Sequence, residues 1–140
     1  MEMEIRTYRA QDSEQVIALW NEALPPNAPH NDPATSIRKK VEADPGLFFV
    51  AVVDGAIAGT AMGGYDGHRG WLYSVAVAPK VRRQGVGAAL IGKVESELIL
   101  RGCLKINLQV RTSNAGVIAF YRKLGYAVDE VLSMGKRLYE

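Results

Sequence analysis

The chain predicts a mixed α/β fold of the α+β kind, with a central sheet of about seven strands flanked by about four helices. Three observations carry this expectation. Apolar runs of strand length alternate with stretches whose apolar residues recur every three to four positions, the periods of a pleated strand and of an amphipathic helix. Three strand-like runs in the middle of the chain follow one another across turns with no helix between them, which argues for a mixed sheet rather than a doubly wound one. A length of 140 residues fits a single domain, residues 1–140, able to bury a core without disulfides or metals.

Residues 4–9 read as a short edge strand ending at Arg9. A helix follows from about Ser13 to Leu24 with Asp12 or Ser13 as its cap, because Val16, Leu19, Trp20 and Ala23 fall at i, i+3, i+4 and i+7. Pro25-Pro26 ends it. Leu24–Pro33 holds four prolines and two asparagines and reads as a loop. Asp32-Pro33 supplies an N-cap and a proline at the first helical position, opening a second helix to about Ala43 with Ile37 and Val41 inward. The cluster Arg38-Lys39-Lys40 on it reads as a solvated face. Leu47–Val53 is a continuous apolar run, a buried strand. Asp54-Gly55 is a hairpin signal, and Ala56–Tyr65 returns as a strand whose small residues Ala58, Gly59, Ala61, Gly63 and Gly64 imply a bend or close packing. Asp66–Gly70 is a turn and Trp71–Ala78 the next strand.

A long helix spans about Gly85 to Leu100, with Val86, Leu90, Val94 and Leu98 on one face and Gly102 closing it. Lys105–Val110 is a strand. Thr112-Ser113-Asn114 caps a helix through Leu124, whose apolar face carries Val117, Phe120, Tyr121 and Leu124, with Gly125 just past its end. Tyr126–Glu130 and Ser133–Leu138 complete the order β-α-α-β-β-β-α-β-α-β-β.

Composition excludes several function classes. A formal net charge of +2 gives no reason to expect a nucleic-acid partner. No apolar run reaches membrane-spanning length, and Glu2 and Glu4 at the start are unlike a signal peptide. The single cysteine, Cys103, forbids an intramolecular disulfide and fits a reducing cytoplasm; it reads as a small buried side chain. With one cysteine and two histidines no Cys/His metal pattern can be built, so no metal is expected.

The most informative segment is Arg82-Arg83-Gln84-Gly85-Val86-Gly87-Ala88. It follows the apolar run Val75-Ala76-Val77-Ala78 and opens the long helix. Strand, glycine-rich turn and helix N-terminus in that order make an anion site: first-turn N–H groups lack intrahelical partners, and the helix dipole adds positive charge there. Glycines let a ligand approach the backbone, and two arginines add fixed charge. The spacing is neither that of a dinucleotide fingerprint, whose third glycine position is Leu90 here, nor that of a P-loop.

R-x-x-G-x-G from Arg82 to Gly87 resembles the acetyl-CoA pyrophosphate loop of the GNAT N-acetyltransferases. Asn114–Tyr126, NAGVIAFYRKLGY, is similar to their late helix N-x-x-x-x-x-F-Y-x-x-x-G-[FY], with Asn114, Phe120, Tyr121, Gly125 and Tyr126 in register. The run Gly63–Gly70, GGYDGHRG, resembles the bacterial YpeA-type branch. The resemblance implies the GNAT fold and acetyl transfer from acetyl-CoA to an amine of a small molecule or protein by direct attack on the thioester. It implies that the strands Trp71–Ala78 and Lys105–Val110 splay to admit pantetheine, that backbone groups near Val75, Ala76 and Val77 bind its amides, and that the Arg82–Ala88 turn holds the pyrophosphate. Tyr121 matches the family tyrosine that protonates the departing thiolate, and Asn114 faces the pantetheine.

The base has no such match. Many members carry a glutamate on the strand equivalent to Trp71–Ala78, where this chain has neither carboxylate nor imidazole. A water relay or selection of the neutral amine is expected instead, with Asp66 and His68 as more distant candidates. The Leu24–Pro33 loop and the final hairpin near Asp129 to Met134 are expected to choose the amine, with Asp32, Asp129 and Glu130 available to a cation. The alternative reading is a catalytically weak acyl-CoA-binding or sensor module. Partners are acetyl-CoA and the amine, with neither nucleic acid nor membrane, and with a homodimer left open.

Overall fold

The computed structural model describes residues 1–25 and 29–139, so Pro26, Asn27 and Ala28 of the expected first loop lie outside it. Two compact units are present, Met1–Gln109 and a second from Val110 onward.

The first unit contains β1 (Met3–Thr7), α1 (Ser13–Ala23), α2 (Pro33–Ala43), β2 (Phe48–Val53), β3 (Ala56–Tyr65), β4 (Gly70–Val77), α3 (Val86–Leu100) and β5 (Ile106–Asn107). The five strands form one sheet in sequence order. Successive pairs are antiparallel except β4 and β5, which run parallel across the α3 crossover. Asp54 and Gly55 join β2 to β3 with φ of 48° and 85°, the left-handed pair that a tight hairpin of matching twist requires.

The core follows from the apolar patterns. Leu47 to Ala51 are almost wholly buried, and α3 presents Val86, Leu90, Ile91, Val94 and Leu98. The small residues of β3 let α3 sit close. A Cβ on Gly59 would fall 2.8 Å from Leu90 Cδ1, and one on Gly63 would fall 2.7 Å from Val94 Cγ1. The opposite face receives α1, whose buried Trp20 donates its indole N–H to Thr60 Oγ1 at 2.8 Å. Neighbouring strand residues point to opposite faces, so Gly59 and Thr60 serve the two helices separately.

Asp12 does not cap α1 through its side chain. Its buried carboxylate takes a bidentate pair from Arg6 at 2.7 and 3.0 Å and the Arg9 N–H at 2.8 Å. These bonds, the Arg6 guanidinium first, hold its carboxyl below the usual range. The stability this adds is present above the unfolded carboxyl's value of about 3.9 and is lost as pH falls through the lowered folded value. Asp12→Ala, which strands the partly buried guanidinium, is expected to cost about 3 kcal/mol at neutral pH. Urea denaturation at pH 7 and under acid checks both the size and the shrinking of that difference.

The mixed α/β class is observed, with four helices once α4 (Ala115–Lys123) of the second unit is included, but the strand count is five among the described residues. Tyr126–Glu130 and Ser133–Leu138 form no strands. Val128, Val131, Leu132, Met134 and Leu138 are exposed, so these stretches bury little apolar surface, and a hairpin with no apolar face to bury is marginal in water. The expected strand Lys105–Val110 shortens to the two ladder residues of β5. Val41 and Val117, expected inward, are exposed, whereas Lys40, expected on a solvated face, is buried. Lys40 shares the stripe of Pro33 and Ile37 at i+4 and i+7, and that spacing outweighs its charge.

Candidate active site

The pairing of β4 and β5 covers only Gly70 with Ile106 and Trp71 with Asn107. Beyond Trp71 no strand among the described residues pairs with the outer edge of β4. Just past that point β4 bulges. Thr60 pairs with Ala76 and Met62 with Tyr73, so Ser74 and Val75 together oppose Ala61. Ser74 has φ of 50°, a left-handed conformation costly for a non-glycine residue. A buried relay pins it: Trp20 Nε1 donates to Thr60 Oγ1, which donates to the Ser74 carbonyl at 3.0 Å. Bulges re-aim a strand's edge and are frequent beside functional sites. Thr60→Val keeps the shape but leaves the Trp20 N–H and the Ser74 carbonyl unpaired. It is expected to lower stability by about 1–3 kcal/mol, which thermal denaturation checks.

The free edge leads through Val75, Ala76 and Val77 into the arginine–glycine turn. Arg82 folds back, its Nε donating to the Val77 carbonyl at 3.2 Å. Arg83 and Gly85 have φ of 64° and 83°. Gly85 is the N-cap of α3 and offers no side chain to the first turn. The N–H groups of Val86, Gly87 and Ala88 therefore have no intrahelical acceptor, and the first helical bond is Ala89 N–H to the Gly85 carbonyl at 3.0 Å. Arg82, Arg83, Gln84 and Gly85 are exposed, and no atom lies within 4 Å of where a Gly85 Cβ would be. The turn is an open, positively charged cradle for an anion.

On the same strand lies a cleft of about 640 Å³ lined by Tyr65, Asp66, Trp71, Tyr73, Ser74 and Gln109 among others. Asp66 accepts the His68 and Arg69 N–H groups at 2.8 and 2.7 Å. Those bonds, the Arg69 one first, hold its carboxyl below the usual range, which makes it a weak proton acceptor. Tyr73 meets the buried Lys40 of α2, whose Nζ donates to its hydroxyl at 2.8 Å and also to the Gly63 carbonyl. The sequence analysis names neither member of this pair as a site residue and puts Lys40 on a solvated face; its spacing from Pro33 and Ile37 is the signal that could have shown it buried.

The second unit holds the remaining expected residues. Asn114 caps α4, its Oδ1 accepting the Val117 N–H at 3.3 Å. Tyr121 packs edge-on against Phe120 and Tyr126, with ring centres 5.2 and 5.6 Å apart. Burial pushes its phenol up to about 12. Among the described residues no three His, Cys, Asp or Glu side chains are grouped to hold a metal, and no helix is long and apolar enough to cross a membrane.

Comparison with known proteins bears on this arrangement. The sequence profile of the acetyltransferase (GNAT) family matches residues 13–126. An acetyltransferase of Sodalis glossinidius is 51% identical over 99% of this chain and 97% of its own. One of Pectobacterium atrosepticum is 49% identical over the same shares. Among solved structures, Ard1 of Thermoplasma volcanium superposes with a TM-score of 0.82 at 28% identity, covering 92% of this chain and 85% of that one. The ribosomal-protein-S18-alanine N-acetyltransferase of Escherichia coli gives 0.75 at 28% identity, covering 89% and 77%. The PaiA N-acetyltransferase of Thermoplasma acidophilum, solved with coenzyme A, shares the fold at a TM-score of 0.78 and 21% identity, covering 94% and 93%. The chain belongs to the GNAT family and is an acetyl-CoA-dependent N-acetyltransferase.

Proposed function

We propose that this enzyme transfers the acetyl group of acetyl-CoA to an amine of a small molecule or protein by direct attack. The observation that carries the reading is the unpaired edge of β4 running into the open N-terminus of α3. Pantetheine amides bond the backbone at Val75, Ala76 and Val77. The pyrophosphate accepts N–H groups from Val86, Gly87 and Ala88, with Arg82, Arg83, Gln84 and Gly85 around it. The amine lone pair attacks the thioester carbonyl, the C–S bond breaks and charge develops on sulfur, and the proton lost by the attacking nitrogen passes through solvent to balance the departing thiolate. Asn114 orients the pantetheine, and Tyr121 serves the sulfur. A phenol at about 12 is a weaker acid than a thiol near 8.5, so complete proton transfer is uphill by about 5 kcal/mol. Tyr121 therefore acts as a hydrogen-bond donor that strengthens as the thiolate forms.

The two units act as one domain in this reading, supported by a family match that runs across both. The run Gly63–Gly70 supports the YpeA-type branch, and the free Cys103 accords with a cytoplasmic setting. Release of CoA thiol is the test, measured with spermidine, kanamycin, free amino acids and peptides with free N-termini. Turnover of one class identifies the acceptor. Acetyl-CoA binding without turnover of any amine would leave a sensor module instead.

A further inference from the structure

We propose that Tyr73 and Lys40 form the proton exit for the acceptor amine, Tyr73 receiving the proton in the cleft and Lys40 holding it behind. This rests on the acetyl transfer proposed above and takes the cleft beside β4 as the place where the acceptor enters. Tyr73 spans two environments: it lines the cleft and is 40% exposed, while its hydroxyl lies 2.8 Å from Lys40 Nζ. Lys40 is 7% exposed, and no carboxylate among the described residues comes within ion-pair distance of it. A buried ammonium without a counterion is costly, and the cost is relieved by losing the proton. Burial lowers the pKa of Lys40, with Asp44 at the end of α2 opposing and Arg101 beyond α3 adding to the effect. Burial also raises the phenol of Tyr73. Each shift runs toward the uncharged form of its group. The other candidates are poorly suited: β4 carries no carboxylate or imidazole, Asp66 accepts two N–H groups of its own turn, and His68 is exposed and is not among the residues that line the cleft.

The step balances without a further reactant. With Lys40 uncharged, the Tyr73 hydroxyl turns to donate to Nζ, reversing the bond between them. The phenol proton passes to Nζ in concert as an acceptor entering as its ammonium breaks one N–H bond and gives that proton to the Tyr73 oxygen, and Lys40 becomes an ammonium donating again to the Tyr73 hydroxyl and the Gly63 carbonyl. The phenol is restored, and the freed lone pair attacks the thioester. After product leaves, the proton returns through Tyr73 to water in the open cleft.

A purely structural lysine would serve as a donor tying α2 to the sheet, and Lys40→Arg separates the two roles. Arginine keeps the donors but is permanently charged and cannot accept a proton. Kinetics are measured by thiol release from acetyl-CoA with whichever of spermidine, kanamycin, an amino acid or an N-terminal peptide turns over fastest. Tyr73→Phe and Lys40→Arg are each expected to reduce turnover about a hundredfold near neutral pH, with an unchanged KM for acetyl-CoA. The loss should shrink at alkaline pH, where the acceptor arrives already neutral. Carbon-13 NMR of the lysine side chains in the full chain should show one lysine titrating well below the others and missing from Lys40→Met. A Lys40 that titrates like an ordinary surface lysine, or either kinetic variant working at the parental rate at every pH, overturns the relay while leaving acetyl transfer intact. A parent that acetylates none of these amines instead overturns the acceptor reading of the cleft, and the relay with it.

Discussion

Replacing Tyr121 with phenylalanine is expected to slow acetyl transfer on the order of a hundredfold while leaving acetyl-CoA affinity close to the parental value. The substitution removes one hydroxyl and almost no volume, and the ring contacts with Phe120 and Tyr126 remain available. What is lost is a donor that matters only when sulfur gains charge, so kcat falls and binding does not. The pH dependence sharpens the test. With the phenol held up to about 12, it stays protonated across the working range. The ratio of parental to variant rate should therefore be flat between about pH 8 and pH 10, where an ordinary phenol would begin to ionise. Equal rates under conditions where chemistry limits turnover would reduce Tyr121 to a packing residue. A ratio collapsing above pH 9 would mean that the phenol ionises far more readily in the complex.

The second large effect is expected at Gly85. Gly85→Val should weaken acetyl-CoA binding more than tenfold, about 1.4 kcal/mol or more. Two causes act together. The residue sits at φ of 83°, where a β-branched side chain is strained by about 1–2 kcal/mol, so the turn that aims the first N–H groups of α3 is distorted. The protein itself leaves the space beside Gly85 empty, so a new side chain meets no neighbour and intrudes only on what binds there. Gly85→Asn separates the causes, because asparagine tolerates the left-handed region. It should retain stability and still lose affinity. Calorimetry giving parental affinity in a folded Gly85→Val protein would remove the pyrophosphate from this turn.

Much of this site was readable because local chemistry dictates it. A glycine turn between strand and helix makes an anion cradle whatever surrounds it, since the free N–H groups belong to the helix's own first turn. Asn114 caps α4 for the same local reason. The cleft was not readable in this way. Its shape depends on the bulge at Ser74, which is pinned from another strand and another helix through Thr60 and Trp20; no pattern near Ser74 announces it. Asp66 reads as available for base work along the chain, but in the fold one of its oxygens accepts two N–H groups of its own turn.

The sequence by itself determined the α/β class, the placement of the four helices, the hairpin at Asp54-Gly55, the arginine–glycine turn and the family. Each rests on periodicity, capping or motif spacing, which are properties of neighbours along the chain. Only the tertiary structure decided where β4 parts from β5, that the residues after Tyr126 form no strands, and that Lys40 is buried against Tyr73 and the Gly63 carbonyl. These depend on partners tens of residues away. A strand exists only if a ladder partner meets it, and a lysine is buried only if the fold brings acceptors to its amine; neither condition is written in the residues on either side.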